Sequence, residues 1–312
     1  LIDVQKQCVV KATSNKRFVA LSYVWGNAQP LLATKSNIDD LQTPGGLANT
    51  DPPLANIICD AMMLVSAVGE RYLWADTVCI VQDDPYGKKD AIDHMDVIYG
   101  QALFTIIAAS TNSADQGLPG VQPKSRPLVN LEDKIKGEPL VWRGPELSDM
   151  MEYSPYEQRA WTFQERLISR RCLYLSQHQA YFQCITDYDC EIYHDSAFWE
   201  HNYKRGRALP VLYNPLNTTN VWSYAIYVYI HLTEAYTPRQ LSSQTDALNA
   251  VQGVLGVLGQ VCQTEFIYAL PENIFDLALL WASARHCHIK RRKGVNFPSW
   301  SWLGWIGPIS YD

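Results

Sequence analysis

Leu103-Phe104-Thr105-Ile106-Ile107-Ala108-Ala109 is an apolar run with no charged residue in it, and it reads as a central parallel strand. A strand covered by helices on both faces has no polar side to show, so it appears as a continuous hydrophobic run and not as an alternation. Upstream, Lys88 to Gly100 carries Ile92, Met95, Ile98 and Tyr99 at helical spacing, which predicts an amphipathic helix. Arg71 to Val81 predicts a second strand, buried on both faces for part of its length. Pro52 and Pro53 introduce a helix over Leu54 to Val68, with Ile57, Ile58, Ala61, Met62, Leu64 and Val65 on one side and Gly69 as its stop. Arg17 to Trp25 is β-branched and aromatic and ends at Gly26, which predicts a strand delivering Ser22, Tyr23 and Trp25 to its carboxyl edge. Strands alternating with helices define an α/β chain with a mainly parallel sheet flanked by helices.

Beyond Ala109 the pattern changes. Glycines and prolines interrupt Asn112 to Glu157, predicting an irregular insertion with a hairpin around Leu140 to Trp142. A helix is expected over Gln158 to Ser169, then strands over Cys172 to Ser176 and Ala180 to Cys184. Asp187 to Thr219 is polar and aromatic. Helices are expected over Ala225 to Ala235, Thr245 to Thr264 and Ile274 to His286, ahead of a Trp-rich end. Gly253, Gly256 and Gly259 lack the order of a dinucleotide fingerprint and read as close helix packing. Trp300, Trp302 and Trp305 alternate with small residues as in a half-buried strand, so the end of the chain is expected to pack and not to hang free.

The 312 residues are 47% hydrophobic and 19% charged, with a net charge of -6, and this describes a globular chain with no general nucleic-acid surface. Lys290-Arg291-Arg292-Lys293 reads as a solvated loop. No apolar stretch approaches the roughly 20 residues of a membrane span, and Leu1 onward resembles no signal peptide. The eight cysteines form no CxxC pair, and most sit among apolar neighbours, as buried thiols of a reducing compartment do. A soluble, cytoplasmic protein is expected. His286-Cys287-His288 has no second ligand pair at zinc spacing, so no metal site is expected.

Four strings combine Trp with small or polar residues: Ser22-Tyr23-Val24-Trp25-Gly26, Trp74-Ala75-Asp76-Thr77-Val78-Cys79-Ile80-Val81-Gln82, Arg159-Ala160-Trp161-Thr162-Phe163-Gln164-Glu165-Arg166 and Phe297-Pro298-Ser299-Trp300-Ser301-Trp302. In this order, with Gly117-Leu118-Pro119-Gly120 between the second and third, they resemble the fungal heterokaryon-incompatibility (HET) domain family. The chain departs from many members at Ala75, where Ile is common, and at Val81, where Asn is common. The resemblance implies a HET core over residues 18–170 and a helical, Trp-rich extension over residues 171–312 packed on it. It also implies a role in fungal non-self recognition and regulated cell death. A proposed distant kinship of the family with TIR domains, some of which hydrolyse NAD, implies a TIR-like, flavodoxin-like core.

Cleavage of nicotinamide from ribose passes through an oxocarbenium-like state, which calls for a carboxylate near the sugar and an aromatic ring against the base. Asp76 and Glu165 are the candidate catalytic carboxylates. Ser22, Tyr23, Trp25, Gly26, Gln82, Arg159 and Trp161 are the candidate substrate contacts, and Ser22, Trp25, Asp76, Arg159 and Glu165 are expected to converge on one pocket at the carboxyl edge of the sheet. Each has a structural alternative. Asp76 could cap a neighbouring backbone or pair with Arg159, Glu165 could pair with Arg159 or Arg166, and the tryptophans could be core. Ser22 lacks a GxSxG elbow, and Cys79 with His94 reads as an inert thiol beside an unrelated imidazole. No cofactor is expected, with NAD entering as a substrate. The partners in view are a small-molecule substrate and a second copy of the chain. Two other functions stay open: a natural-product cyclase, pericyclase or hydrolase with an aromatic-lined pocket, and a non-catalytic interaction module.

Overall fold

In a computed structural model, the structure describes residues 1–13, 15–126, 133–135, 138–140, 144–185, 187–191 and 221–311. Up to residue 190 the elements are β1 (Ile2–Asp3), β2 (Cys8–Val9), β3 (Val19–Ser22), α1 (Ile38–Leu41), α2 (Asn56–Ala67), β4 (Tyr72–Trp74), α3 (Asp76–Cys79), α4 (Pro85–Asp93), α5 (Met95–Gln101), β5 (Thr105–Ala108), β6 (Asp133–Ile135), β7 (Glu138–Leu140), α6 (Leu147–Glu152), α7 (Pro155–Gln158), α8 (Ala160–Ile168), β8 (Arg171–Leu175), β9 (Ala180–Cys184) and β10 (Tyr188–Cys190). After them come α9 (Val221–Tyr236), α10 (Asn249–Cys262), β11 (Phe266–Ile267), β12 (Leu270–Pro271), α11 (Phe275–Ala278), β13 (Ala282–Ser283), β14 (Lys290–Arg291), β15 (Trp305–Ile306) and β16 (Ile309–Ser310). The chain packs as two units. The first takes Leu1–Ile92, Val97–Tyr156 and the described part of Ser169–Arg205, the second Asp93–Asp96, Glu157–Ile168 and the described part of Gly206–Asp312.

The first unit is built on an 8-stranded sheet of order β10-β9-β8-β5-β3-β4-β1-β2. Only the centre, β8-β5-β3-β4, is parallel, and β9, β10, β1 and β2 add antiparallel margins. The sheet is therefore mixed, where the sequence predicts a mainly parallel one. Short antiparallel strands need only tight turns and leave no long hydrophobic run to betray them. At the centre the apolar run divides by period two, as pleating requires. Ile106 and Ala108 of β5 join one core with Val19, Leu21 and the α2 residues Ile57, Ile58, Ala61 and Val65. Ile107 and Ala109 join the other, with Met151 of α6, Tyr156, Cys172 and Tyr174.

Helix α2 lies close to the expected bounds, and Gly69 stops it in the left-handed region at φ +81, its amide bonded back to Ser66. Its one fully buried acid explains the Gly-Leu-Pro-Gly string. Asp60, 3% exposed, accepts from the Leu118 amide and from Gln122 Nε2, each at 2.7 Å. A Cβ at Gly117 would stand 2.4 Å from its Oδ2. Asp60→Ala leaves the buried Leu118 amide without its acceptor, so the denaturant midpoint should fall by the equivalent of about 2 kcal/mol. An unchanged midpoint contradicts this role.

Several expected elements differ. The strand predicted over Arg71 to Val81 ends at Trp74, and α3 follows; Val78 still reaches the core, which shows a half-buried pattern satisfied by a helical turn instead of a strand. The helix predicted over Lys88 to Gly100 is two helices parted at His94. The hairpin is β6–β7, which reaches Leu140, and Val141 and Trp142 lie outside the described residues, as does most of Asp187 to Thr219.

In the second unit, α9 and α10 stand where helices are expected. Gly253 is a close-packing position, since its Cβ would come within 2.8 Å of Ile168 and 2.9 Å of Asp96 Cβ; Gly256 has nothing within 4 Å. The helix predicted over Ile274 to His286 shrinks to α11, because β16 captures Ala282 and Ser283 as a strand partner. Trp302 begins a 3-10 turn capped by Ser301, and the half-buried strand predicted through Trp300, Trp302 and Trp305 does not form. Trp302 is 2% exposed, its indole donates to Tyr229 Oη, and its ring meets Tyr236 edge-on. Tyr229 also receives the Tyr311 hydroxyl. These aromatics thus fill the interior of their own unit.

Candidate functional site

Parallel strands present their following loops at the carboxyl edge of the sheet, and in the first unit the motif residues gather there. Ser22 closes β3 with its Oγ 2.6 Å from the Tyr156 hydroxyl, both fully buried. Tyr23 turns to the opposite core, as its neighbour on a pleated strand must, and its hydroxyl lies 3.0 Å from Thr77 Oγ1. Trp25, half-buried on the loop beyond, donates its indole N–H to Asp76 Oδ2 at 2.9 Å. Asp76 sits just past β4 at the start of α3, and its other oxygen accepts the Thr77 amide at 2.8 Å.

The surrounding loops are tied to this pair. Gln82 donates its side-chain amide to the carbonyls of Asp76 and Ile80, and its backbone amide to Ala33. Ala33 in turn donates to Thr77. Ala114, on the loop after β5, donates to the Trp25 carbonyl at 3.1 Å. Gly26 makes that approach feasible. Its φ is +64, and a Cβ would stand 2.4 Å from the Asn112 carbonyl oxygen and 2.8 Å from Ser113 Cα. The glycine is thus required by the crossing of two loops. Gly26→Ala should cost about 2 kcal/mol from left-handed strain alone, and a variant that melts with the wild type contradicts the crossing.

Arg159, Trp161 and Glu165 belong to the second unit. Glu165 is 8% exposed on α8, and Trp161 is half-buried. The Arg159 carbonyl accepts from Thr162 Oγ1 and from the Arg239 guanidinium. Arg166, one of two cations that the sequence offers Glu165, bonds Glu157 at 3.0 Å, and Arg239 makes a second ion pair with the same carboxylate. Burial works against the charged form of Glu157, but the two guanidiniums outweigh it and hold the carboxyl below the usual glutamate range. The Arg239 guanidinium also lies over the Phe163 ring at 4.7 Å.

Six of the nine sequence candidates (Ser22, Tyr23, Trp25, Gly26, Asp76 and Gln82) therefore stand together in one unit, with Trp25 and Asp76 directly hydrogen-bonded. Sequence reasoning missed Tyr156, Glu157 and Arg239, which belong to none of the four strings; Tyr156 meets Ser22 and Arg239 meets Glu157 only across long stretches of chain. Cys79 bonds within its own turn, its sulfur 3.4 Å from the Ala75 amide. Among the described residues no group of three or more His, Cys, Asp or Glu is placed to hold a metal ion, and no helix is long and apolar enough to cross a membrane.

An α/β domain that gathers Trp, Asp, Ser and Gln at the carboxyl edge of a sheet with a parallel centre is the class that the fold and this cluster define. A family model described as Heterokaryon incompatibility protein (HET) matches residues 18–165, and the chain carries a domain of that fungal family. No curated protein and no solved structure matches the chain.

Proposed function

We propose that the protein is an effector of heterokaryon incompatibility, triggering regulated cell death in fungal non-self recognition by cleaving the nicotinamide–ribose bond of NAD at Asp76. The observation that carries this reading is the Trp25–Asp76 contact: a carboxylate held by an indole and a backbone amide, half-buried at the mouth of parallel strands. A fixed carboxylate facing a developing oxocarbenium is the electrostatic stabilisation such a step requires. The strand order supports a TIR-like core. Counted along the chain, the parallel strands lie in the order second, first, third, fourth, which begins the doubly wound arrangement that binds ligands at the carboxyl ends of its strands.

The chemistry asks little more of the protein. The C1′–N bond breaks with both electrons going to the pyridinium nitrogen, so nicotinamide leaves neutral and needs no general acid. Water then attacks C1′ and releases a proton, giving ADP-ribose. A single carboxylate serves this reaction, and Glu165 is not needed as a second. Expression of the chain in a fungal host should deplete NAD before viability falls. Death with NAD undiminished would replace the enzymatic reading with an interaction module, and survival would end the effector reading altogether.

A further inference from the structure

Charge is segregated along this chain. Residues 281–312 hold five of the 26 Lys and Arg and one of the 32 Asp and Glu, a net +4, so the rest carries -10 of the total -6. The basic run Lys290–Lys293 lies in a ribbon of the second unit, where β14 pairs antiparallel with β15 and Lys290 faces Ile306. Residues directly opposite across such a pair project from the same face. Lys290 is exposed, Ile306 is 40% exposed, and Lys293 is exposed in the turn that follows.

The two arginines of the run do different work. Arg291 donates to the carbonyls of Phe297, Pro298 and Gly304, and Arg292 to those of Leu303 and Trp305. Arg291 is exposed and Arg292 half-buried, and both are tied down by backbone carbonyls, whereas the ammonium groups of the exposed lysines end flexible stems. We propose that this ribbon is a docking surface for an anionic phospholipid bilayer, with Lys290 and Lys293 on the headgroups and Ile306 at the acyl boundary. An ammonium directly opposite an exposed aliphatic side chain is a pairing that membrane interfaces select. A nucleic acid would instead call for rings to stack on and a row of free guanidiniums along a phosphate track. The proposal is independent of any activity at Asp76.

Vesicle sedimentation tests it, with phosphatidylcholine alone or with one third phosphatidylserine. The full chain should bind only the anionic vesicles, and 0.5 M salt should release it, because a screening length of about 4 Å suppresses surface attraction. Lys290→Gln with Lys293→Gln should lower the partition coefficient about 30-fold, and Ile306→Ser should lower it with the salt dependence kept. Both variants alter exposed side chains, and an unchanged melting temperature confirms that they fold. Failure to bind anionic vesicles overturns the proposal, as does equal binding by the double variant. Binding to single-stranded DNA with none to vesicles would assign the surface to nucleic acid instead.

Discussion

Glu157→Ala should destabilise the second unit by about 3–5 kcal/mol, because it strands two guanidiniums around one lost carboxylate. Arg239 is 4% and Arg166 17% exposed in their side chains, so water cannot readily replace the missing charge. The native pairing also sets a pH dependence. The folded-state pKa of Glu157 is lowered, so its stabilisation is complete above the ordinary glutamate value of about 4.5 and is lost as pH falls through the lower folded value. Urea midpoints measured from neutral pH downward should therefore fall for the wild type in this acid range, with Glu157→Gln showing a weaker slope there. A Glu157→Ala protein as stable as the wild type would show that the ion-pair cluster does not hold this unit together.

Much of the first unit was legible because its sequence signals have a single cause. A largely apolar run without a charged residue means burial on both faces, and β5 fulfils it; Gly69 after an amphipathic run means a helix stop, and α2 ends there. What stayed hidden depends on partners far along the chain. Nothing around Tyr72 announces that the strand must end at Trp74, since Val78, Ile80 and Val81 favour extension, and only the turn that brings Asp76 to Trp25 overrides them. The Ile274 to His286 pattern failed for the same reason, the competing partner being a strand at the far end of the chain. Ser22, Trp25 and Asp76 were legible as motif residues, yet Tyr156, the bonding partner of Ser22, was not. Gly26 was legible as a glycine of the motif, but the Asn112 carbonyl that requires it was not.

The second large effect concerns chemistry. Asp76→Asn keeps the shape of the side chain and one of its two accepting oxygens, so the fold should survive with a modest loss of stability while the charge that the proposed reaction requires is lost. Turnover should fall at least a hundredfold, on the order of 3 kcal/mol in transition-state stabilisation. Trp25→Phe removes the N–H that orients Asp76 and should lower turnover less, since the carboxylate remains charged and is still held by the Thr77 amide. Activity lost only together with the folded state would return Asp76 to the backbone-capping role.

Nicotinamide release from NAD by wild type and Asp76→Asn, matched for melting temperature, tests the central claim most directly. The account predicts release by the wild type and at least a hundredfold less by the variant. Equal release by both, or none from the folded wild type, would contradict it.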